Sequence, residues 1–240
     1  MKKLIINADD FALSKGVNYG ILECFKNGVL TSTTMMMNAP ALDHAVALMK
    51  ENDLNVGIHL VATMFKPLTN AKSLTTENGL FDKAKMFDKN ATINEEELYN
   101  EWVAQIELFI KKTGRKPSHI DSHHHIHLEE KCRETTLKLS KKYQLQVRAV
   151  DSEFGENILF VDNFYGDNIT IDSVKEIIEN SGVIEMMSHP AFIDNGLVNA
   201  TSYSMKRKDE LDLLLSNEIK ELLNDKKVSL ISYNDTKVVV

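Results

Sequence analysis

Hydrophobic and polar positions along the chain follow two alternating periods. Short apolar runs over 3–7, 31–38, 55–60, 183–187 and 228–233 read as strands, and stretches with helical spacing fall between them. The first helix, over 14–28, carries Val17, Ile21, Leu22 and Phe25, and the second opens at Pro40 and runs to Asn52. A third begins at Asn94, where Asn94 and Glu97 resemble a capping box, lines up Leu98, Trp102, Ile106, Phe109 and Ile110, and stops at Gly114. Downstream the pattern predicts a helix over 129–143, a short strand over 146–149, a helix capped by Asp172 that reaches Ser181, and a last helix through Leu211, Leu214, Leu215, Ile219 and Leu222 to Asn224. Three sections, 61–93, 151–170 and 189–207, keep no period. The first is long enough to read as a functional loop or lid.

About seven strand–helix alternations with no linker composition between them predict one α/β domain over residues 1–240. The helix lengths suit the crossover connections of parallel strands. The expected architecture is a single-domain (β/α) barrel, distorted and TIM-like, with a doubly wound open sheet as the alternative, because strand count does not decide closure.

Residues 118–128 hold five of the chain's eight histidines together with Asp121. Read as a strand, the stretch sends Asp121, His123, His125 and His127 to one side and Ser122 and His124 to the other. Neutral imidazole binds divalent metals and a carboxylate can hold its second nitrogen, so one strand end supplies both a ligand and its orienter. A loosely binding histidine tract is the competing reading. The internal position, between a strand signal and a helix, argues against an expression tag.

The other polar candidates also fall at strand ends: Asp9 and Asp10 after the first run, His59 at the close of the third, Arg148 on the 146–149 strand and His189 before Pro190. In parallel α/β folds those carboxyl ends form the rim where ligands bind. Adjacent Asp9 and Asp10 point opposite ways on an extended chain, which invites a division of labour in which one binds a metal and the other takes a proton from its water. Helix capping is the alternative for both, and His59, in an apolar setting, also reads as a core histidine. His189 is expected to be an exposed loop imidazole suited to a general acid, Arg148 to meet a carboxylate such as Asp9, and His44 to face solvent.

Charge and composition narrow the partners. A net charge of −7, with no basic stripe, excludes a nucleic-acid backbone. No apolar run spans a bilayer, and the start of the chain lacks the apolar core of a signal peptide, so a cytoplasmic location is expected. Cys24 and Cys132 sit in helical patterns as small hydrophobes.

The assembled motifs are Asn-Ala-Asp-Asp-Phe (7–11), Ser-Lys-Gly (14–16), Leu-Thr-Ser-Thr-Thr (30–34), Gly-Ile-His-Leu (57–60), residues 114–127, Arg-Ala (148–149) and Ser-His-Pro-Ala-Phe-Ile-Asp-Asn (188–195). Through these motifs, over nearly its full length, the chain resembles the YdjC-like carbohydrate deacetylases, in particular those acting on chitin disaccharide. The resemblance implies a distorted (β/α) barrel that removes an N-acetyl group from N-acetylglucosamine oligosaccharides with one divalent metal ion, Mg2+ or Zn2+. It further implies Asp10, His59 and His123 as metal ligands, Asp9 as general base, Arg148 as its charge partner and His189 as general acid. Position 12 departs from the family, with Ala where Gly is usual after Asp-Asp-Phe; if the turn needs φ > 0 the alanine costs about 1 kcal/mol. Residues 64–94 match least. A small oligosaccharide substrate and a homodimer are the expected partners. A silent sugar- or metal-binding protein and a metal-dependent phosphatase or amidohydrolase are the competing functions.

Overall fold

A computed structural model, which describes residues 2–151 and 153–236, places the first apolar run at the centre of a seven-stranded sheet in which every pairing is parallel. The strands are β1 (Lys3–Phe11), β2 (Ser32–Met35), β3 (Val56–Leu60), β4 (Ile120–Ser122), β5 (Ile158–Val161), β6 (Val183–Ser188) and β7 (Ser229–Leu230), in the order β4-β3-β2-β1-β6-β5 with β7 also on β1. β6 follows one edge of β1 from Lys3 to Ala8. The other edge is shared: Ser229 N and Ile231 N donate to Lys2 O and Leu4 O, and Thr31 N, just before β2, continues at Ile6 O. β4 and β5 end the sheet, and a single bridge from Ile120 to Val147 extends it beyond β4. The result is a curled, incompletely closed barrel, the distorted (β/α) form expected.

The strand expected over 146–149 is reduced to that bridge, while β5 lies inside a section that keeps no period. A four-residue strand whose residues are half-buried or exposed has no clean alternation to reveal it.

Helices α1 (Lys15–Asn27), α2 (Leu42–Asn52), α3 (Lys83–Phe87), α4 (Glu95–Thr113), α5 (Glu130–Tyr143), α6 (Ile171–Ile178), α7 (Asn195–Ala200), α8 (Lys206–Leu215) and α9 (Asn217–Asp225) connect the strands. The expected last helix is two, because Ser216 takes an extended ψ of 153° and caps α9 by accepting from Ile219 N. Thr170, not Asp172, caps α6. Asn94 caps α4, but Glu97 does not return the bond. It accepts instead from Ser73 N at 2.6 Å. Among the described residues no helix is long and apolar enough to cross a membrane.

Alternation along β1 divides the interior. Leu4, Ile6 and Ala8 join the main apolar core under the helices, whereas Ile5 packs with Val183 and Tyr233 in a small cluster of its own. Asn7 and Asp9 share the face of Ile5 and are also buried. The barrel lumen is thus apolar near the strand starts and polar toward their carboxyl ends.

Candidate active site

The end of β1 is not ordinary strand. Its register with β2 shifts between Ala8 and Phe11, where Asp10 takes a left-handed φ of 68°, and Ala12 just beyond takes one of 86°. On an extended chain Asp9 and Asp10 would face apart. The left-handed step lets both carboxylates line one cavity of about 190 Å³, with His59, His123, Tyr165 and His189. Asn18 fixes the turn: its Oδ1 accepts from Ala12 N at 2.7 Å and its Nδ2 lies 3.0 Å from His44 Nδ1. His44 is therefore half-buried, not solvent-facing.

The histidine run also leaves the strand pattern. After β4 the chain turns into a 3-10 segment, His123–Leu128, in which His124 and His125 have φ of 58° and 54°. Asp121 and His123 reach the centre and His124 and His125 also line the cavity, His125 edge-on against Phe160, but His127 turns away to Ser122 Oγ (2.6 Å) and Arg148 O (3.1 Å). His124 is pinned between Thr63 Oγ1 (2.8 Å) and Lys83 Nζ (2.9 Å). Since the lysine can only donate, His124 Nε2 accepts, and burial pushes its pKa down to about 3. The single-sided row expected from period two is broken.

Asp10, His59 and His123 bring one ligand atom each within 4.8 Å of one another. Asp10 Oδ1 lies 2.8 Å from His123 Nδ1 and 3.3 Å from His59 Nε2, yet it is a buried oxygen without a well-aligned hydrogen-bond partner among the described residues. His59 Nδ1 is 2.7 Å from Asp121 Oδ1, an acceptor only, so this nitrogen carries the proton and Nε2 is left to offer a lone pair. Thr34 Oγ1 donates to the other oxygen of Asp121 at 2.9 Å. Burial resists charge on His59, but Asp121 and Asp10 outweigh it and carry the imidazole up to about 10, so near neutral pH Nε2 also binds a proton, which a cation would displace to reach the lone pair; burial leaves His123 lowered. Burial likewise opposes ionisation of Asp10, but His123 and Arg207 hold it well below the carboxylate range. An orphaned carboxylate oxygen facing two imidazole nitrogens, one with its tautomer set by a carboxylate, suits a divalent cation.

Behind this trio Arg148 joins three carboxylates. Its Nη1 and Nη2 each lie 2.7 Å from one oxygen of Asp9, Nη2 is 3.0 Å from Asp121 Oδ2, and Nε donates to Glu185 Oε1 at 2.9 Å. Tyr233 donates to the other oxygen of Glu185. Burial pushes Asp9 upward, but the guanidinium prevails and keeps it below the usual range. His189 is not an exposed loop imidazole: its side chain is 12% exposed, its backbone N–H donates to buried Glu210, and its Nδ1 is 3.7 Å from Glu210 Oε1.

Sequence reasoning missed Arg207, whose Nη2 donates to Asp10 Oδ2 at 2.7 Å, and Tyr203, whose hydroxyl donates to Glu210 Oε1 at 2.7 Å. Arg207 stands between Lys206 and Lys208, where it looks like one of a surface cluster. Two larger clefts, of about 490 and 600 Å³, are lined by none of these residues.

The class is a distorted (β/α) barrel with a buried Asp/His cluster on its rim. The family 4 carbohydrate esterase from Streptomyces lividans shares the fold, with a TM-score of 0.54 over all of this chain and 97% of that one at 12% identity, a likeness of fold alone. Within that class the chain belongs to the YdjC-like family, whose model matches residues 3–225. It is similar to carbohydrate deacetylases from Brevibacillus brevis (38% identical, 97% of this chain and 99% of that one) and Geobacillus stearothermophilus (39% identical, 96% of each). A crystal structure from Enterococcus faecalis, provisionally described as a cellobiose-phosphate cleavage protein, superposes with a TM-score of 0.88 at 35% identity over 99% of both chains.

Proposed function

We propose that this chain is a metal-dependent carbohydrate N-deacetylase that releases acetate from N-acetylglucosamine oligosaccharides of the chitobiose type. The observation that carries the reading is the convergence of Asp10, His59 and His123 on one orphaned oxygen, beside a second buried aspartate held by an arginine. Membership of a family whose relatives are named carbohydrate deacetylases supports it. Charge supports it too: among the described residues the carboxylates Asp9, Asp10, Asp121 and Glu185 face Arg148, Arg207 and the His59 imidazole, an acidic excess that a divalent cation, Mg2+ or Zn2+, offsets.

Asp10, His59 and His123 would hold the cation, which would supply Lewis-acid polarisation of the acetamide carbonyl and a lowered pKa for the attacking water. Asp9 takes the water's proton. Arg148 grips both its oxygens and keeps it ionised, while Oδ2 accepts from Nη1 alone and so retains a lone pair for the incoming proton. Asp121 holds the His59 ring in the tautomer that frees Nε2. His189, which lines the same cavity beside Glu210, protonates the departing amine. The products are acetate and a free amino sugar. The protein acts as a cytoplasmic homodimer in this reading.

Acetate release from N,N′-diacetylchitobiose is the test. Release that stops with chelator and returns with added metal supports the reading. Metal or sugar binding with no acetate would instead mark a silent binding protein, and release indifferent to chelator would remove the cation.

A further inference from the structure

The cavity that holds the Asp/His cluster is smaller than the roughly 300–1,000 Å³ that encloses a whole drug-sized ligand, at about 190 Å³. It has room for an acetamido group and part of its ring, so most of an oligosaccharide must lie across the rim. One large side chain on that rim is still open to solvent: Tyr165 lines the cavity yet is 44% exposed.

Its placement is fixed from several sides. The Tyr165 ring stacks on Tyr203 with centroids 3.9 Å apart and planes 14° from parallel, and meets His189 edge-on at 5.9 Å. Tyr203 is itself anchored, donating to buried Glu210 and accepting from Gly166 N at 3.1 Å. The backbone on both sides of Tyr165 is tied as well, with Tyr165 N donating to Asn163 O at 2.8 Å and Asn168 N donating to Tyr165 O at 3.1 Å. Glu210 joins the pair to the chemistry, since its second oxygen accepts from His189 N. A solvated aromatic face costs stability unless something covers it, and one held by a buried network loses little conformational freedom on binding.

We propose that Tyr165, backed by Tyr203, is a sugar platform: its exposed face receives the apolar C–H face of a pyranose ring and sets which ring of a β-linked oligosaccharide delivers its acetamide to the cavity. This rests on the deacetylase reading. It makes Tyr165 a specificity-determining residue that touches substrate away from the reacting atoms. Tyr203 is a positioning residue acting through it.

The test compares wild type with Tyr165→Phe and Tyr165→Ala, measuring kcat and KM for N,N′-diacetylchitobiose and, by calorimetry, the dissociation constant for the same disaccharide in metal-depleted protein. Loss of one aromatic stack is expected to weaken the Ala variant about tenfold in KM and in dissociation constant, with kcat falling less than about threefold, while Phe stays close to wild type. Unchanged KM and affinity in the Ala variant, or a loss confined to kcat, would overturn the platform. If wild type released no acetate the function proposed above would fail, and the calorimetric comparison would still decide whether Tyr165 holds sugar.

Discussion

At the scale of single residues the lumen is governed by how each carboxylate is compensated. Asp9 is gripped by Arg148 through both oxygens, so Asp9→Asn keeps the shape, removes the proposed proton acceptor and weakens the arginine's anchor. Acetate release should fall by about 10²–10⁴-fold, with metal content by atomic spectroscopy unchanged; undiminished turnover would take Asp9 out of the base role. His59→Ala removes the ring that Asp121 orients, and metal stoichiometry should drop well below one per chain. Ala12 offers a different test, because its φ of 86° sits where a side chain strains the backbone. Relief of about 1–2 kcal/mol on Ala12→Gly outweighs the loss of one buried methyl, about 0.8 kcal/mol. A net gain of up to about 1 kcal/mol is expected, seen as a rise of a few degrees in melting temperature. That glycine-favouring position was readable from the sequence, since the only visible departure from the family pattern falls on it. The roles of Arg207 and Tyr203 were not, because a charge between two lysines and a tyrosine in an aperiodic stretch give no local sign of their partners.

At the scale of elements, residues 61–93 show what periodicity leaves out. The stretch has no sustained period, yet it contains a 3-10 turn at Lys72–Leu74 and α3, and α4 fastens it. Buried Glu101 accepts from Leu68 N at 2.9 Å, from Thr69 N at 2.8 Å and from the Thr69 hydroxyl at 2.6 Å. Its order comes from a carboxylate more than thirty positions away, which no pattern within the loop can report. Glu101→Ala strands those donors and should cost about 2–3 kcal/mol. Hydrogen exchange should accelerate selectively at Leu68 and Thr69; retained protection there would show that the loop holds itself. The histidine segment is the converse case. Its composition announced chemistry, but the left-handed turn at His124 and His125 decided which rings face inward.

At the scale of the molecule, the sheet buries titratable groups that must stay neutral. His119 stacks on Tyr233 at 3.5 Å and His127 is enclosed by Ser122 and Arg148, and burial lowers both to about 3 from 6.5. In the unfolded chain these imidazoles take up protons as pH falls through 6.5, while in the folded protein they resist until about 3. Their contribution to stability is thus complete above the unfolded value and is lost on acidification through that window. Each withdraws up to about 1.4 kcal/mol per pH unit. Urea midpoints should fall steadily below pH 6.5, and His127→Gln should flatten the slope; a midpoint level from pH 7 to 4 would contradict this. The sequence by itself determined the strand–helix alternation, the parallel α/β class and the chemistry-bearing residues at strand ends, because hydrophobic period and residue type are local properties. Only the tertiary structure decided that β1 bulges to turn Asp9 and Asp10 into one cavity, that β5 exists, and that Arg207 and Tyr203 complete the cavity lining. Each of these depends on contacts between segments far apart in the chain, where partner and distance, not spacing, set the energy.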